Sequence, residues 1–253
     1  MLLYFSFFKL PPMNLVIDLG NTVAKLAVFE KDELREKEIV ASEEIQEKIS
    51  QHLLKNPWVK KVISSNVSKL QIKVPQEKEL QILELSAESL LPFENLYATP
   101  QTLGNDRKAL VAAAAKYYPK RNVLIIDAGT CITYDFKNSK NEYLGGAISP
   151  GLKMRFKALN SFTANLPLVD QQEQLKLVGN STLTSINSGV AYGMVKEIDG
   201  FIEEYAAQYD DLLTIVTGGD AHFLSVNLKN SIFANSNFLL EGLNYILEFN
   251  TSQ

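Results

Sequence analysis

Apolar residues fall into short runs, and most of these runs end in a polar turn that carries glycine. Asn14 to Asp18 (NLVID) is such a run, followed by Leu19-Gly20-Asn21-Thr22 and a returning run from Ala24 to Phe29 with partial alternation. Run, tight turn and returning run predict a β-hairpin. Ser42 to Leu54 has helical spacing at Ile45, Ile49 and Leu53, with Ser42 placed to cap its start and Pro57 beyond its end. Val59 to Ser64 and Ile82 to Leu85 read as strands. Leu110 to Tyr118 is alanine-rich and helical, begins after Gly104-Asn105-Asp106-Arg107 and is stopped by Pro119.

The opening theme then returns. Val123 to Asp127 (VLIID) is an apolar strand ending in Asp, followed by Ala128-Gly129-Thr130 and a returning strand from Cys131 to Phe136. Tyr143 to Ile148 carries Gly145-Gly146, and Pro150-Gly151 opens a helix rich in Lys and Arg. Ile186 to Tyr205 is helical, Leu212 to Val216 is a strand ending in Thr217-Gly218-Gly219-Asp220, and Asn237 to Phe249 is helical. VIDLGNT and IIDAGT are therefore two copies of one unit about 109 positions apart. An internal repeat of this kind marks duplication. It predicts an α/β fold of two similar halves whose aspartate-bearing turns face each other.

Composition narrows the possible functions. The chain has 253 residues, of which 46% are hydrophobic and 21% charged, as in a globular protein with a real core. A net charge of −4 argues against nucleic acid as a partner, because affinity for phosphate backbones comes from clustered Lys and Arg. The Lys-rich stretches Lys31 to Lys37 and Lys69 to Lys78 are interleaved with Glu and read as solvated faces. The single cysteine, Cys131, excludes an internal disulfide and fits a reducing cytoplasm. Its apolar neighbours predict a small buried hydrophobe. One Cys and two distant His give no zinc cluster. Residues 1–12 (MLLYFSFFKLPP) are apolar but lack a basic start and a small-residue cleavage site, and are expected to be a disordered extension. No run reaches the length of a membrane span.

The repeated turns have a definite chemistry. Gly20 lets the backbone turn tightly and approach a ligand oxygen. Successive N–H groups in such a turn form an anion nest, to which Asn21 and Thr22 add side-chain donors. Asp18 at the strand end can hold a hydrated magnesium ion, and Lys25 can place a point charge on a phosphate. A plain hairpin turn explains one such loop, but not two copies together with Thr217-Gly218-Gly219-Asp220. Neither a Walker A loop nor a Rossmann fingerprint is present. Asp106, beside Arg107 at a helix start, is kept ionised by the cation and the helix dipole. It suits a general base that takes a proton from an alcohol. Arg107 suits bidentate pairing with a carboxylate or phosphate. Asp106 as a helix cap beside a surface Arg107 is the alternative for that motif.

DLGNTVAK, TPQTLGNDR, IIDAGTCITYD, GGAISPGL, GNSTLTSINSG and TGGDA occur in the order found in the type III pantothenate kinases. The chain resembles that family from Met13 to about Phe249. The resemblance implies two ribonuclease-H-like half-domains of the actin and sugar-kinase type, drawn here at 13–118 and 119–253. It implies ATP-dependent phosphorylation of pantothenate to 4'-phosphopantothenate, the first step of coenzyme A synthesis, in the cytoplasm. Asp18, Leu19, Gly20, Asn21, Thr22, Val23, Ala24 and Lys25 would then bind ATP, with Asp18 near magnesium. Thr130 would also touch ATP. Tyr97, Gly104, Asn105, Asp106, Arg107 and Thr182 would bind pantothenate, with Asp106 the proton acceptor. Asp127 would hold a monovalent cation, potassium or ammonium. Thr182 would act through the interface of a homodimer.

Two other classes stay open at this level. A non-catalytic transcription accessory factor of the same family would keep the cleft as a vestige. An ATP-hydrolysing switch of the Hsp70 or actin type, or a kinase for another small alcohol, would share the fold. Chaperone ATPases carry long insertions and a client-binding domain, for which this chain is too short.

Overall fold

The computed structural model describes residues 11–20, 23–68, 70–75, 79–172 and 174–251. Asn21 and Thr22 of the first turn, and residues 1–10 of the expected extension, lie outside the described residues. In chain order the elements are β1 (Met13–Leu19), β2 (Val23–Glu30), β3 (Glu33–Ala41), α1 (Ile45–Lys55), β4 (Val59–Asn66), β5 (Gln81–Glu84) and β6 (Glu94–Asn95). There follow α2 (Asn105–Tyr117), β7 (Val123–Ala128), β8 (Cys131–Lys137), β9 (Glu142–Pro150), α3 (Leu152–Ser161), α4 (Thr182–Asn187) and α5 (Gly193–Gln208). The last are β10 (Leu213–Thr217), α6 (Ala221–Asn227), β11 (Phe233–Ala234) and α7 (Phe238–Thr251).

The strands form two sheets, ordered β3-β2-β1-β4-β5 and β6-β9-β8-β7-β10-β11. Each sheet has an antiparallel meander of three strands, continued by two parallel strands. The second sheet adds only β6 at one edge. The sequence repeat is thus a repeat of topology, and the duplicated α/β architecture is that of the actin and sugar-kinase type. The apolar runs that end in Asp18 and Asp127 are the central strands β1 and β7. A strand covered on both faces reads as a continuous hydrophobic run rather than an alternating one, and Leu15, Val16, Ile17, Leu124, Ile125 and Ile126 are fully buried.

The chain divides into two compact units. One contains the described residues of Met1–Pro92, Gln101–Ala112 and Leu240–Gln253; the other contains Phe93–Pro100 and Ala113–Leu239. In the first, α1 lays Ile45, Ile49 and Leu53 on a core formed by Leu15, Ile17, Leu26, Val28 and Val62. The last turns of α7 belong to this unit. Asn14 on β1 donates to Asn244 Oδ1 at 2.8 Å and to Glu248 Oε1 at 2.7 Å, and Lys61 on β4 pairs with Glu248 at 2.8 Å. In the second unit, α5 packs Met194, Val195, Ile198 and Ile202 against Ile132, Tyr134 and Phe136 of β8. The opposite face of β8 carries Thr133, Asp135 and Lys137, all buried.

Two expectations change, and a strand that the sequence did not announce is added. Glu33–Ala41 is an edge strand beside β2, in which exposed Glu33, Arg35, Lys37 and Ile39 alternate with half-buried Leu34, Glu36 and Glu38, so the charged stretch keeps its solvated face. Ser42 does not cap the following helix; a short 3₁₀ turn intervenes, and the buried Ser42 hydroxyl donates instead to the Gly20 carbonyl at 3.0 Å. Cys131 is exposed, not buried. It opens β8 at the turn, short of the core that covers Ile132 and Tyr134. Among the described residues no helix is long and apolar enough to cross a membrane.

Candidate active site

In the first unit the site grows from the end of β1. Asp18 is 8% exposed, and its Oδ2 lies 3.4 Å from the Lys25 ammonium, its cross-strand partner on β2. Burial pushes the Asp18 carboxyl above its ordinary range, the Lys25 charge opposes this, and the Asp106 carboxylate adds to the rise. Asp106 is therefore within electrostatic reach of Asp18. The wholly buried Ser65, opposite Asp18 in register on β4, favours the anion more weakly. The turn is held from below. Gly20 N donates to Val23 O at 3.1 Å, Val67 N to Leu19 O at 3.1 Å, and Ser42 to Gly20 O. A Cβ on Gly20 would sit 2.9 Å from the Val23 carbonyl, so this close turn requires glycine. Val23 is exposed at the start of β2, and Ala24 faces the core.

The Gly104-Asn105-Asp106-Arg107 motif opens α2. Asp106 stands in the first turn with its Oδ1 accepting from Arg107 N at 2.8 Å. A Cβ on Gly104 would come within 2.3 Å of that oxygen, so glycine leaves room for the carboxylate. Asn105 donates to Leu85 O at 2.8 Å, and the buried Lys108 donates to Ser86 O at 3.0 Å and Asn105 Oδ1 at 3.1 Å. These bonds fix the helix start against the end of β5. Arg107 is buried rather than a surface residue.

In the second unit Asp127 is the penultimate residue of β7. Its cross-strand neighbour on β8 is Thr133, and its parallel neighbour on β10 is Thr217. Thr133 Oγ1 is buried with no hydrogen-bond partner among the described residues. Three glycine loops close around this end of the sheet. Gly151 N donates to Thr130 O at 3.1 Å, and Asp220 N to Ala128 O at 3.0 Å. Gly218 has φ +93°, and a Cβ there would lie 2.4 Å from both Asp127 Oδ1 and Ala128 O. Thr130 is exposed at the turn. Asp220 is half-buried, and burial raises its carboxyl against the charge of Lys153.

The remaining substrate candidates also lie in the second unit. Tyr97 is half-buried just beyond β6, with its ring stacked on Tyr143 at 6.0 Å and 27°. Thr182 is exposed at the first position of α4, whose cap is Ser181 in a capping box with Thr184. Leu177, Val178 and Leu183 are also exposed, and Ser188 on the following helical turn donates to Leu177 O at 2.6 Å.

The structure thus gathers Asp18, Leu19, Gly20, Val23, Ala24, Lys25, Gly104, Asn105, Asp106 and Arg107 in one unit, and Tyr97, Asp127, Thr130 and Thr182 in the other. Sequence reasoning missed Ser42, Ser65 and Thr133. The last two had a signal: they occupy strand positions directly opposite the two aspartates.

A duplicated sheet with acidic, glycine-bearing turns after its central strands defines the class of actin-like and sugar-kinase folds. The chain is similar in fold to a ROK family protein from Streptococcus pneumoniae solved with sucrose, at TM-score 0.52 and 11% identity over 95% of this chain and 99% of that one. It is also similar to a Baf family transcriptional activator from Campylobacter jejuni, at TM-score 0.64 and 24% identity over 94% and 100% of the two chains. The family model for type III pantothenate kinase matches residues 14–204. The type III pantothenate kinase of Christiangramia forsetii is 54% identical over 95% of this chain and 100% of its own length. That of Flavobacterium johnsoniae is 45% identical over 94% and 98%. The chain belongs to the type III pantothenate kinase family.

Proposed function

We propose that the chain transfers the γ-phosphoryl group of ATP to the primary hydroxyl of pantothenate, giving 4'-phosphopantothenate for coenzyme A synthesis in the cytoplasm. The observation that carries this reading is the grouping in the first unit. A buried strand-end carboxylate, Asp18, has Lys25 at 3.4 Å and lies in the field of Asp106. That combination serves phosphoryl transfer, in which positioning and charge stabilisation do most of the work. Asp106 accepts the hydroxyl proton as the acceptor oxygen attacks phosphorus. The Asp18 to Lys25 turn takes the ATP phosphates, with Lys25 as a point charge and backbone N–H groups as donors. Gly104, Asn105, Arg107 and Tyr97 orient pantothenate, and Thr130 contacts ATP.

The donor sets fit the ions the reaction needs. Asp18 offers a hard carboxylate oxygen to hydrated magnesium. Asp127 offers another, with the buried Thr133 hydroxyl across from it, which suits potassium or ammonium. These ions supply neutralising charge to the transferring group. A second copy of the chain covers the exposed Leu177, Val178 and Leu183 and brings Thr182 to the partner's pantothenate.

The test is pantothenate-dependent consumption of ATP with and without potassium. Phosphopantothenate is the expected product, and Asp106→Asn lowers turnover ~10²-fold or more. ATP hydrolysis indifferent to pantothenate supports the switch reading instead. Absence of any turnover supports the accessory-factor reading.

A further inference from the structure

We propose that Tyr143, held by Asp135, is the positioning residue that sets Tyr97 in place for pantothenate. This rests on the reading of Tyr97 as a substrate contact. Asp135 and Tyr143 are both fully buried, and the Tyr143 hydroxyl donates to Asp135 Oδ1 at 2.7 Å. A carboxylate with no exposure is costly unless it is bonded, and packing alone would be served better by an apolar side chain. The bond has a geometric effect: it anchors the phenol end, and so the axis, of a ring on which a second ring rests. Tyr97 stacks on Tyr143 at 6.0 Å and 27°, while Phe93 closes its edge at 6.1 Å and 73°.

The backbone around Tyr97 depends on the same strand. Asn95 of β6 is paired with Tyr143 of β9, and Leu96 N donates to Tyr143 O at 3.0 Å. Tyr97 N donates to Asn95 Oδ1 at 3.1 Å. Gly145, with φ +108°, leaves the space the Tyr97 ring uses, since a Cβ there would lie 3.3 Å from Tyr97 Cδ2. Tyr97 is thus placed by β9 through main chain, ring and glycine together. Asp135 also shares its face of β8 with Thr133, which sits opposite Asp127. One polar row on the sheet therefore serves the cation aspartate at one end and the acceptor tyrosine at the other.

The experiment compares Tyr143→Phe, Asp135→Asn and Tyr97→Ala in the full-length protein. Each is measured by steady-state kinetics for both substrates, by calorimetric binding of pantothenate and by thermal midpoint. Tyr143→Phe keeps the ring and loses the hydroxyl bond. It is expected to raise KM and Kd for pantothenate roughly tenfold, as a small misplacement of an orienting group does. KM for ATP should stay within about twofold. Asp135→Asn keeps an oxygen acceptor and is expected to retain most of the pantothenate affinity. Parallel losses for both substrates with a lowered midpoint would mean a merely structural role and overturn the proposal. Unchanged pantothenate affinity in Tyr143→Phe, with a loss in Tyr97→Ala, overturns the positioning role alone. Unchanged affinity in Tyr97→Ala itself removes the substrate reading beneath it.

Discussion

The β1–β2 and β7–β8 hairpins are built alike and furnished differently. Each begins with a buried central strand that ends in aspartate, turns on glycine and returns antiparallel. Each aspartate has one cross-strand neighbour on the returning strand. For Asp18 that neighbour is Lys25, with its ammonium at 3.4 Å. For Asp127 it is Thr133, a neutral hydroxyl with no hydrogen-bond partner among the described residues. A buried carboxylate needs compensating charge to stay ionised. The first hairpin supplies that charge from its own sequence. The second places the neutral Thr133 hydroxyl at the matching position, which is the donor chemistry that the proposed cation role of Asp127 uses. The two hairpins share a backbone plan, and one residue in register distinguishes them.

The largest effect that would break this comparison is at Lys25. Lys25→Met removes the proposed charged phosphate contact and the counter-charge of Asp18. A hydrogen bond to a charged group is worth about 1.5–3 kcal/mol. Accordingly kcat/KM for ATP should fall ~10- to 10²-fold in steady-state assays, with KM for pantothenate little changed. An equal loss for both substrates would contradict the assignment of this hairpin to the nucleotide.

At the second hairpin the next effect is conformational. Gly218→Ala forces a side chain into a left-handed backbone position, φ +93°, and onto Asp127 Oδ1 and Ala128 O. Strain of this kind costs about 1–3 kcal/mol, read as a lowered denaturant midpoint. Potassium affinity should fall with it, because the clash moves the Asp127 carboxylate.

The smallest effect concerns Asp220, whose carboxyl burial raises above its ordinary range. A raised acid favours folding in its protonated form, so its contribution is present at low pH and lost as pH rises through the folded-state value. Asp220→Asn should therefore be more stable than wild type at neutral pH. The gain should be less than about 1 kcal/mol for this half-buried group and vanish in acid. Stability curves for both proteins against pH give the check.

Much of this was legible in the sequence because it is written in local patterns. The two aspartate-ended strands announce themselves by unbroken apolar runs, as central strands do, and their glycines by turns that admit no side chain. Gly104 to Arg107 stands at a helix start, as read. What escaped depends on partners distant in the chain. Asn14 meets Asn244 and Glu248 across 230 residues and more, so the attachment of α7 to β1 leaves no local mark. Ser42 looked like a helix cap because its own neighbours are helical, yet its hydroxyl is spent on the Gly20 turn. The edge strand β3 was hidden by its charge, which is how an open sheet edge is protected. Cys131 took its expected burial from apolar neighbours, whereas its place at a turn decides its exposure. The Asp135–Tyr143 bond was invisible because nothing in a sequence shows which buried tyrosine reaches which buried acid.

The proposed division of labour between the hairpins is tested most directly by a potassium titration of wild type and Asp127→Ala, following phosphopantothenate formation. Wild type should be activated by potassium or ammonium, and Asp127→Ala should give a flat response at every concentration while still binding ATP. An Asp127→Ala protein that potassium still activates as it does the wild type would contradict the account.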